Sequence, residues 1–405
     1  MRILIISQYF HPESFRVNQL ATALKERGHE VVVLTGQPNY PSGRFFLGYR
    51  FVGPLSERYE GMNVIRVPLI PRGRGRSWQL ALNYISFVFF ATLFGLPRLR
   101  GRFDACIAFS PSPIMNAAPA IVYRFFCKTP VALWLQDLWP ETFFAITKSR
   151  NRFLQVLLSV LVRWTYRHVD QIWMQTPGFS ESVRAHGGHD VTTAYVPNWA
   201  EDLYDCDQWD AIVADALPPN SLVFAGNLGR AQGLETLIET ADLARFTTPA
   251  PHWIIVGEGS VREWLADQIR VRGLGAHITL LPRRPAQEMP RILKAAAAVL
   301  VTSDDDPVFS LTVPSRIQSA LASGRPIIAA LSGNAARVIA DARCGLLCPP
   351  RDAKGLAQIV KSLIEMPQDE RETLGRSGHA YYKANFTQSR VVRQIEDLLG
   401  RLRLK

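Results

Sequence analysis

Cysteine is scarce in this chain and is not grouped. The five residues Cys106, Cys127, Cys206, Cys344 and Cys348 are odd in number and form no Cys-x-x-Cys pair among 405 positions. That excludes a disulfide framework, and with no histidine near Cys344 and Cys348 in sequence it gives no support to a cysteine metal site. The cytosol is the expected compartment, because MRILIISQYF at residues 1–10 reads as a short strand followed by polar residues and not as a secretory signal.

Acidic residues are scarce in the first half. Residues 1–200 carry 22 Lys and Arg against 11 Asp and Glu, whereas residues 201–405 carry 24 against 24. The whole net charge of +11 therefore belongs to the first half. A one-sided field of this kind suits an anionic membrane surface or another polyanion. A membrane surface is the expected partner, with no nucleic acid.

The longest charge-free run, SWQLALNYISFVFFATLFGLP, fills residues 77–97 between Arg76 and Arg98. As a helix it would measure roughly 30 Å, nominally a bilayer span. Strand-like runs at 63–69 and 104–110 flank it and should share one sheet, which a spanning helix would forbid. Gln79, Asn83 and Ser86 also lower its apolarity. The basic flanks RGRGR (72–76) and RLRGR (98–102) favour a helix in the lipid interface, with an ordinary buried crossover helix as the alternative. A second basic, apolar stretch at 147–168 points the same way.

Apolar strand runs alternate with helix-length segments in both halves. RILIIS (2–7), HEVVVLTG (29–36), NVIRVPL (63–69), DACIAFS (104–110), VALWLQD (131–137), QIWMQT (171–176) and TTAYVPN (192–198) form the first series. SLVFAG, HWIIVGEG, HITLLP, AAVLVTS, RPIIAA and CGLLCPP form the second. Such alternation predicts α/β architecture: two doubly wound, Rossmann-like domains with parallel sheets, facing a cleft. The expected division is 1–199, an acidic Pro218-Pro219 linker at 200–220, a second domain at 221–388, and a helix at 389–405 able to pack back on the first domain.

The chemistry is expected at strand ends. FAGNLGRAQGLETLIE (224–239) places Gly226, Gly229 and Gly233 between a strand and a helix start, a backbone cradle for phosphate oxygens. Between the outer glycines there is one basic residue, Arg230. VGEGS (256–260) supplies a second turn with Gly257 and Glu258. Pro314 and Ser315 open a helix whose first turn holds Arg316, against the dipole preference, which marks it as an anion clamp.

In order and spacing, QYFHPESFRVNQLATALKERGHEVVVLTGQPNYPSGRFF, WLQDLWPE, VPNW, FAGNLGRAQGLETL, VGEGS, VPSRIQSALASGRPIIA and ARCGLLCPPRDAKGLA resemble the bacterial glycosyltransferases of family 4. The branch resembled acts in O-antigen and exopolysaccharide assembly and includes N-acetyl-fucosamine-type transferases. The resemblance implies a GT-B fold, a nucleotide-diphosphate sugar donor in the second domain, and a lipid-diphosphate-linked saccharide acceptor in the first. It also implies retention of anomeric configuration, with no metal or other cofactor required, on the inner face of the cytoplasmic membrane.

Three departures from the family pattern bear on the site. Where the family has GRLxxxKG, with two basic residues on the donor diphosphate, Asn227 and Gln232 stand. The family's two glutamates, eight positions apart, fall on Leu311 and Ser319. The histidine before Asp137 is Gln136. The expected donor-binding set is therefore Gly226, Asn227, Gly229, Gln232, Gly257, Glu258, Arg284, Ser315, Arg316 and Ser319, with Arg16 contributing from the first domain. Asp137 is the candidate catalytic group, orienting donor or acceptor. His11, Glu13, Asn39, Tyr40 and Arg44 are read as acceptor-side. The aspartates at 304–306 are read as a solvated loop or a contact to sugar hydroxyls. A nucleotide-sugar 2-epimerase and a catalytically silent subunit of a membrane assembly complex are the competing readings.

Overall fold

The protein is described from a computed structural model, which covers residues 1–209 and 215–404. It divides into two compact units, one of residues 1–196 with 392–405, the other of residues 197–391.

The first unit is built on eight strands: β1 (Arg2–Ser7), β2 (Glu30–Gly36), β3 (Ser56–Tyr59), β4 (Met62–Val67), β5 (Ala105–Ser110), β6 (Val131–Leu135), β7 (Gln171–Met174) and β8 (Thr193–Tyr195). Their order is β3-β4-β2-β1-β5-β6-β7-β8, and every pairing is parallel except β3 with β4. Continuous apolar runs such as Ile3–Ile6 and Val131–Leu135 are buried, as a sheet covered on both faces requires. The first crossover helix, Arg16–Glu26, buries Val17, Leu20, Ala21 and Leu24, one helical stripe, and the chain leaves it through Gly28 at φ +87°.

The second unit holds β9 (Ser221–Ala225), β10 (His252–Val256), β11 (Ile278–Leu281), β12 (Ala298–Thr302), β13 (Ile327–Ala330) and β14 (Gly345–Cys348). All are parallel, in the order β11-β10-β9-β12-β13-β14. Strand order reverses at β1/β5 in the first sheet and at β9/β12 in the second. In doubly wound sheets such switch points open a crevice beyond the carboxyl ends of the strands.

Several expectations change. SERY (56–59) carries no apolar alternation, yet it forms the antiparallel edge strand β3. Its Glu57 explains why: Arg66, fully buried on β4, donates to Glu57 Oε1 from Nε at 2.8 Å and from Nη2 at 2.6 Å. Arg66 also donates to the Gly36 carbonyl at 2.8 Å and to the His11 carbonyl, so one guanidinium ties the ends of β1 and β2 to the edge.

The 77–97 run is not one regular helix. It is α-helical over Ser77–Phe90, π-helical over Ala91–Gly95 and 3-10 over Leu96–Arg98. Gly95 lies against Leu34, whose Cδ1 would stand 2.7 Å from any added Cβ.

The acidic stretch 200–220 is not a free linker in its described parts, because Ala200 and Trp209 belong to the second unit's core. Asp205 there accepts from Lys383 Nζ at 2.5 Å and pairs with His379 at 2.8 Å. Residues 210–214 of that stretch lie outside the described residues. The last helix, Gln388–Arg403, pairs Glu396 with Arg27 (2.5 Å) and His29 (2.8 Å) of the first unit.

Removing one partner of a buried ion pair leaves the other charge unmet, at about 3–5 kcal/mol. Glu57 retains some exposure, so Glu57→Ala is expected to lower unfolding free energy by about 3 kcal/mol, read from the urea midpoint. A midpoint equal to wild type would show that Arg66 finds its acceptors elsewhere.

Candidate functional site

The glycine loop lies at the second sheet's switch point. From β9 the chain passes through Gly226 (φ +152°), Asn227, Leu228 and Gly229, makes a short 3-10 turn over Arg230–Gln232, and enters the helix Leu234–Ala244 through Gly233. Gly233 stands at φ +62°, and a Cβ there would meet the Ser303 carbonyl oxygen at 2.6 Å. The turn after β10 lies directly against this loop. Leu228 N–H donates to the Glu258 carbonyl at 2.8 Å and Val261 N–H to the Leu228 carbonyl at 3.1 Å. A Cβ on Gly257 would stand 1.9 Å from the Gly226 carbonyl oxygen, and one on Gly259 2.3 Å from that of Leu228. Two loops packed backbone to backbone leave no room for side chains between them, which is the physical reason for glycine at these positions. The loop after β12 closes the third side, where Asp304 N–H donates to the Ala231 carbonyl at 3.0 Å.

Arg316 sits in the first turn of the helix Ser315–Ala322. Its guanidinium carbon lies 5.0 Å from the centre of the Phe224 ring, at the end of β9 where the glycine loop begins. Nη1 is buried and meets no acceptor. Burial pulls its pKa down to about 10. The cation thus rests on an aromatic face with no anion paired to it among the described residues, an arrangement that attracts but does not neutralise the charge.

The other donor-side positions divide. Asn227 is exposed, while Gln232 is half-buried with Oε1 unpartnered. Ser315 is exposed, and Ser319 leans on the Ser315 carbonyl at 3.5 Å. Glu258 faces Arg262 at 3.5 Å. Arg284 is exposed and reaches Glu288 at 3.5 Å. Asp304 is paired with Arg351 at 2.6 Å and Asp306 caps the Val308 N–H, so these two aspartates serve local structure.

In the first unit, Asp137 follows β6 directly, half-buried, and none of the described residues hydrogen-bonds its carboxylate. Burial pushes that carboxyl from its ordinary 3.8 up to about 7. Arg16 opens the helix after β1 and donates to Gln19 at 3.1 Å. Tyr40 is partly exposed beside Tyr9 and Phe15, and Arg44 is exposed. His11 is exposed and stacks on Tyr59 at 4.3 Å, with burial and Arg66 lowering its pKa.

Two acceptor-side expectations are corrected. Glu13 is buried, and its carboxylate accepts the N–H groups of Asn39 (2.8 Å), Tyr40 (2.7 Å) and Phe10 (3.3 Å), so it holds two loops together. Asn39 is fully buried, with its side chain bonded to Gln37 and Arg72.

Arg72 is the residue that sequence reading missed here. Assigned to a basic flank, it instead lies half-buried among the rings of Tyr9, Tyr40 and Tyr84, at 5.9, 5.2 and 5.7 Å. Its only sequence signal was its place next to Pro71 at the head of an arginine run.

One group of metal-ligating residue types occurs among the described residues: Asp205, Cys206, Asp207 and His379, with ligand atoms within 4.8 Å of one another. The Lys383 ammonium stands between Asp205 (2.5 Å) and Asp207 (2.9 Å), so that position already holds a cation.

Parallel doubly wound sheets with a glycine loop at the switch point are an architecture in which nucleotides are commonly bound. Comparison with known proteins makes this specific. Residues 14–199 match the family described as Glycosyl transferase 4-like domain, and residues 207–380 match Glycosyl transferases group 1. Together these matches take in most of the chain, which belongs to the GT-B glycosyltransferases of family 4. WcaI of Escherichia coli K12, named for colanic acid biosynthesis as a glycosyl transferase, is 24% identical over 432 residues, with 99% of this chain and 100% of that protein covered. A glycogen synthase of Mycobacterium tuberculosis is 25% identical over 399 residues, covering 91% and 87%. Among solved structures, HepE of Anabaena in complex with UDP and glucose is similar with a TM-score of 0.67, 20% identity and 99% of each chain covered.

Burial makes the neutral acid of Asp137 the favoured form in the fold. Between about pH 4 and pH 7 the folded protein keeps a proton that the unfolded chain has released, so stability falls as pH rises through that window. Asp137→Asn is therefore expected to unfold at a higher temperature than wild type at pH 8, with the gap closing toward pH 4. Equal melting temperatures at pH 8 would place the carboxylate in water.

Proposed function

We propose that this glycosyltransferase moves a sugar, with retention, from a nucleotide-diphosphate donor to a lipid-linked saccharide at an anionic membrane surface. The sugar is an N-acetylated amino or deoxy sugar, and the product enters a bacterial surface polysaccharide. The donor diphosphate lies at the glycine loop, with the helix starts at Leu234 and Ser315 directed to it and Arg316 as its fixed cation. As the sugar–phosphate bond breaks, negative charge grows on the diphosphate, and preorganised donors stabilise it. The guanidinium and amide N–H groups supply this positive charge, and the reaction requires no metal. Asp137 orients the reacting groups. Arg16, Gly226, Gly229, Gly257, Glu258 and Arg284 complete the donor side, with His11, Tyr40 and Arg44 on the acceptor side.

One observation carries the membrane acceptor: the Ser77–Phe90 helix and its continuation are inverted. Asn83, Ser86, Phe87 and Ala91 are buried, whereas Trp78, Leu82, Ile85, Phe89 and Leu93 project on the outer side at helical spacing. Trp78 is 59% and Phe89 51% exposed. The helix Arg152–Arg167 repeats the pattern, exposing Phe153, Val156, Leu157, Val160 and Trp164 beside Arg152, Arg163 and Arg167. Apolar stripes edged by arginines suit a helix lying at a headgroup boundary. The inward polar side chains are matched: Asn83 Oδ1 accepts from Gln8 Nε2 at 2.6 Å, and Ser86 Oγ accepts the Ile70 N–H at 3.1 Å.

Two measurements test the two halves of this reading. Wild-type protein should float with anionic vesicles in a salt-sensitive manner, and the pair Trp78→Glu with Phe89→Glu should abolish flotation while leaving the melting temperature intact. Binding that persists in the pair would remove the helix from this role. A charge-assisted hydrogen bond contributes about 1.5–3 kcal/mol, so Arg316→Ala should weaken UDP binding ten- to hundredfold in calorimetry. An unchanged Kd would exclude Arg316 as the diphosphate clamp.

A further inference from the structure

The second unit has a cavity of about 510 Å³ that the donor site does not use. Its walls include Ala296 and Ala297, which lead into β12, and Arg325 and Pro326, which lead into β13. It therefore opens at the amino ends of the strands, the opposite end of the sheet from the glycine loop. Trp209 forms one wall, and the first turns of the helix Gln368–Asn385 form another.

The lining is strongly cationic. Among the described lining residues, Lys294, Arg325, Arg371 and Arg376 stand against one acid, Glu372. Residues 201–405 taken together are charge-balanced, so the excess is local to this lining. Glu372 is already engaged, accepting from Gln368 at 2.9 Å and pairing with Arg376 at 3.6 Å. Arg325 donates to the Lys294 carbonyl, a neutral partner that orients its guanidinium without cancelling the charge. Burial lowers the Arg325 pKa. Arg371 is the least satisfied: its Nε is buried and has no acceptor. A buried donor left unmet is unfavourable, and a desolvated guanidinium fork matches phosphate oxygens in particular. The volume falls in the range of small-ligand sites.

We propose that this cavity binds a small organic phosphate of sugar-phosphate or nucleotide size, separately from the donor. Arg371 and Arg376 hold the phosphate, and Trp209 borders the remainder of the ligand. Ser323 and Gly324, just past the end of the Ser315–Ala322 helix, line the same cavity. An occupant therefore meets one end of the helix whose other end carries Arg316, about 12 Å away at 1.5 Å per residue.

Calorimetric titration of the whole protein tests this with two probes, glucose 6-phosphate and AMP. The expected result is saturable one-to-one binding of at least one probe, alike in wild type and in Arg316→Ala. Arg371→Ala and, independently, Arg376→Ala should weaken that binding tenfold or more, with UDP affinity and melting temperature at wild-type values. Whichever probe binds tells whether a sugar phosphate or a nucleotide is the preferred class. The proposal is overturned if neither probe binds wild type, if both cavity variants bind as wild type does, or if Arg316→Ala removes the binding and so assigns it to the donor site.

Discussion

An arginine in the first turn of a helix, beside a glycine loop and with no anion paired to it among the described residues, is the electrostatic constraint at the mouth of the second sheet. The helix start repels the charge, burial disfavours it, and the Phe224 ring compensates only in part. The loops around it cannot supply side-chain partners. Gly226 and Gly257 touch through backbone, as do Leu228 and Gly259, so the mouth of the cradle is lined by amide groups. Asn227 and Gln232 bring only neutral dipoles where the wider family brings charge. What surrounds the cradle is therefore backbone N–H groups, the Arg316 guanidinium and the exposed Arg230. The loop keeps one basic residue, Arg230, and the neighbouring helix start adds a second guanidinium, that of Arg316.

The first unit solves the opposite problem, how to expose apolar surface without losing the fold. A helix that turned its apolar face inward would have packed better in isolation from lipid. Here the inward face carries polar Asn83 and Ser86 beside Phe87, and the segment after β1 offers a matching group: Gln8 bonds both Asn83 and Asn116, and all three are buried. Two of the residues that lower the run's apolarity in the sequence, Asn83 and Ser86, are thus removed from solvent. Average hydropathy and facing are separate properties, and only the second decides what a helix docks against.

That distinction explains what was legible. Alternating apolar runs and helix-length segments fix two parallel sheets, since buried central strands carry continuous Val, Ile, Leu and Ala. Every run read as a strand is one, because these signals are local. β3 was invisible because its cohesion comes from one buried ion pair, Glu57 with Arg66, 9 residues apart. The stretch at 200–209 looks like a linker by composition, yet Trp209 alone outweighs its acids once Lys383 and His379 take up Asp205. The glycine loop and Arg316 could be found because glycine spacing and a misplaced cation are sequence properties. Arg72 and Arg371 could not, since what distinguishes each is the company brought by distant segments.

Glu13 and Asp137 show why a shifted pKa does not define a role. Burial pushes both carboxyls to about 7. Glu13 accepts from three backbone N–H donors, which favour the anion and offset burial in part. Its titration is therefore tied to the hydrogen bonds that join two loops. Asp137 has no such donors, and nothing in its surroundings prefers the anion. Its proton can leave or return near neutral pH without disturbing a hydrogen-bonded frame. Of two buried acids shifted alike, only the one without hydrogen-bond partners among the described residues titrates without altering the backbone around it.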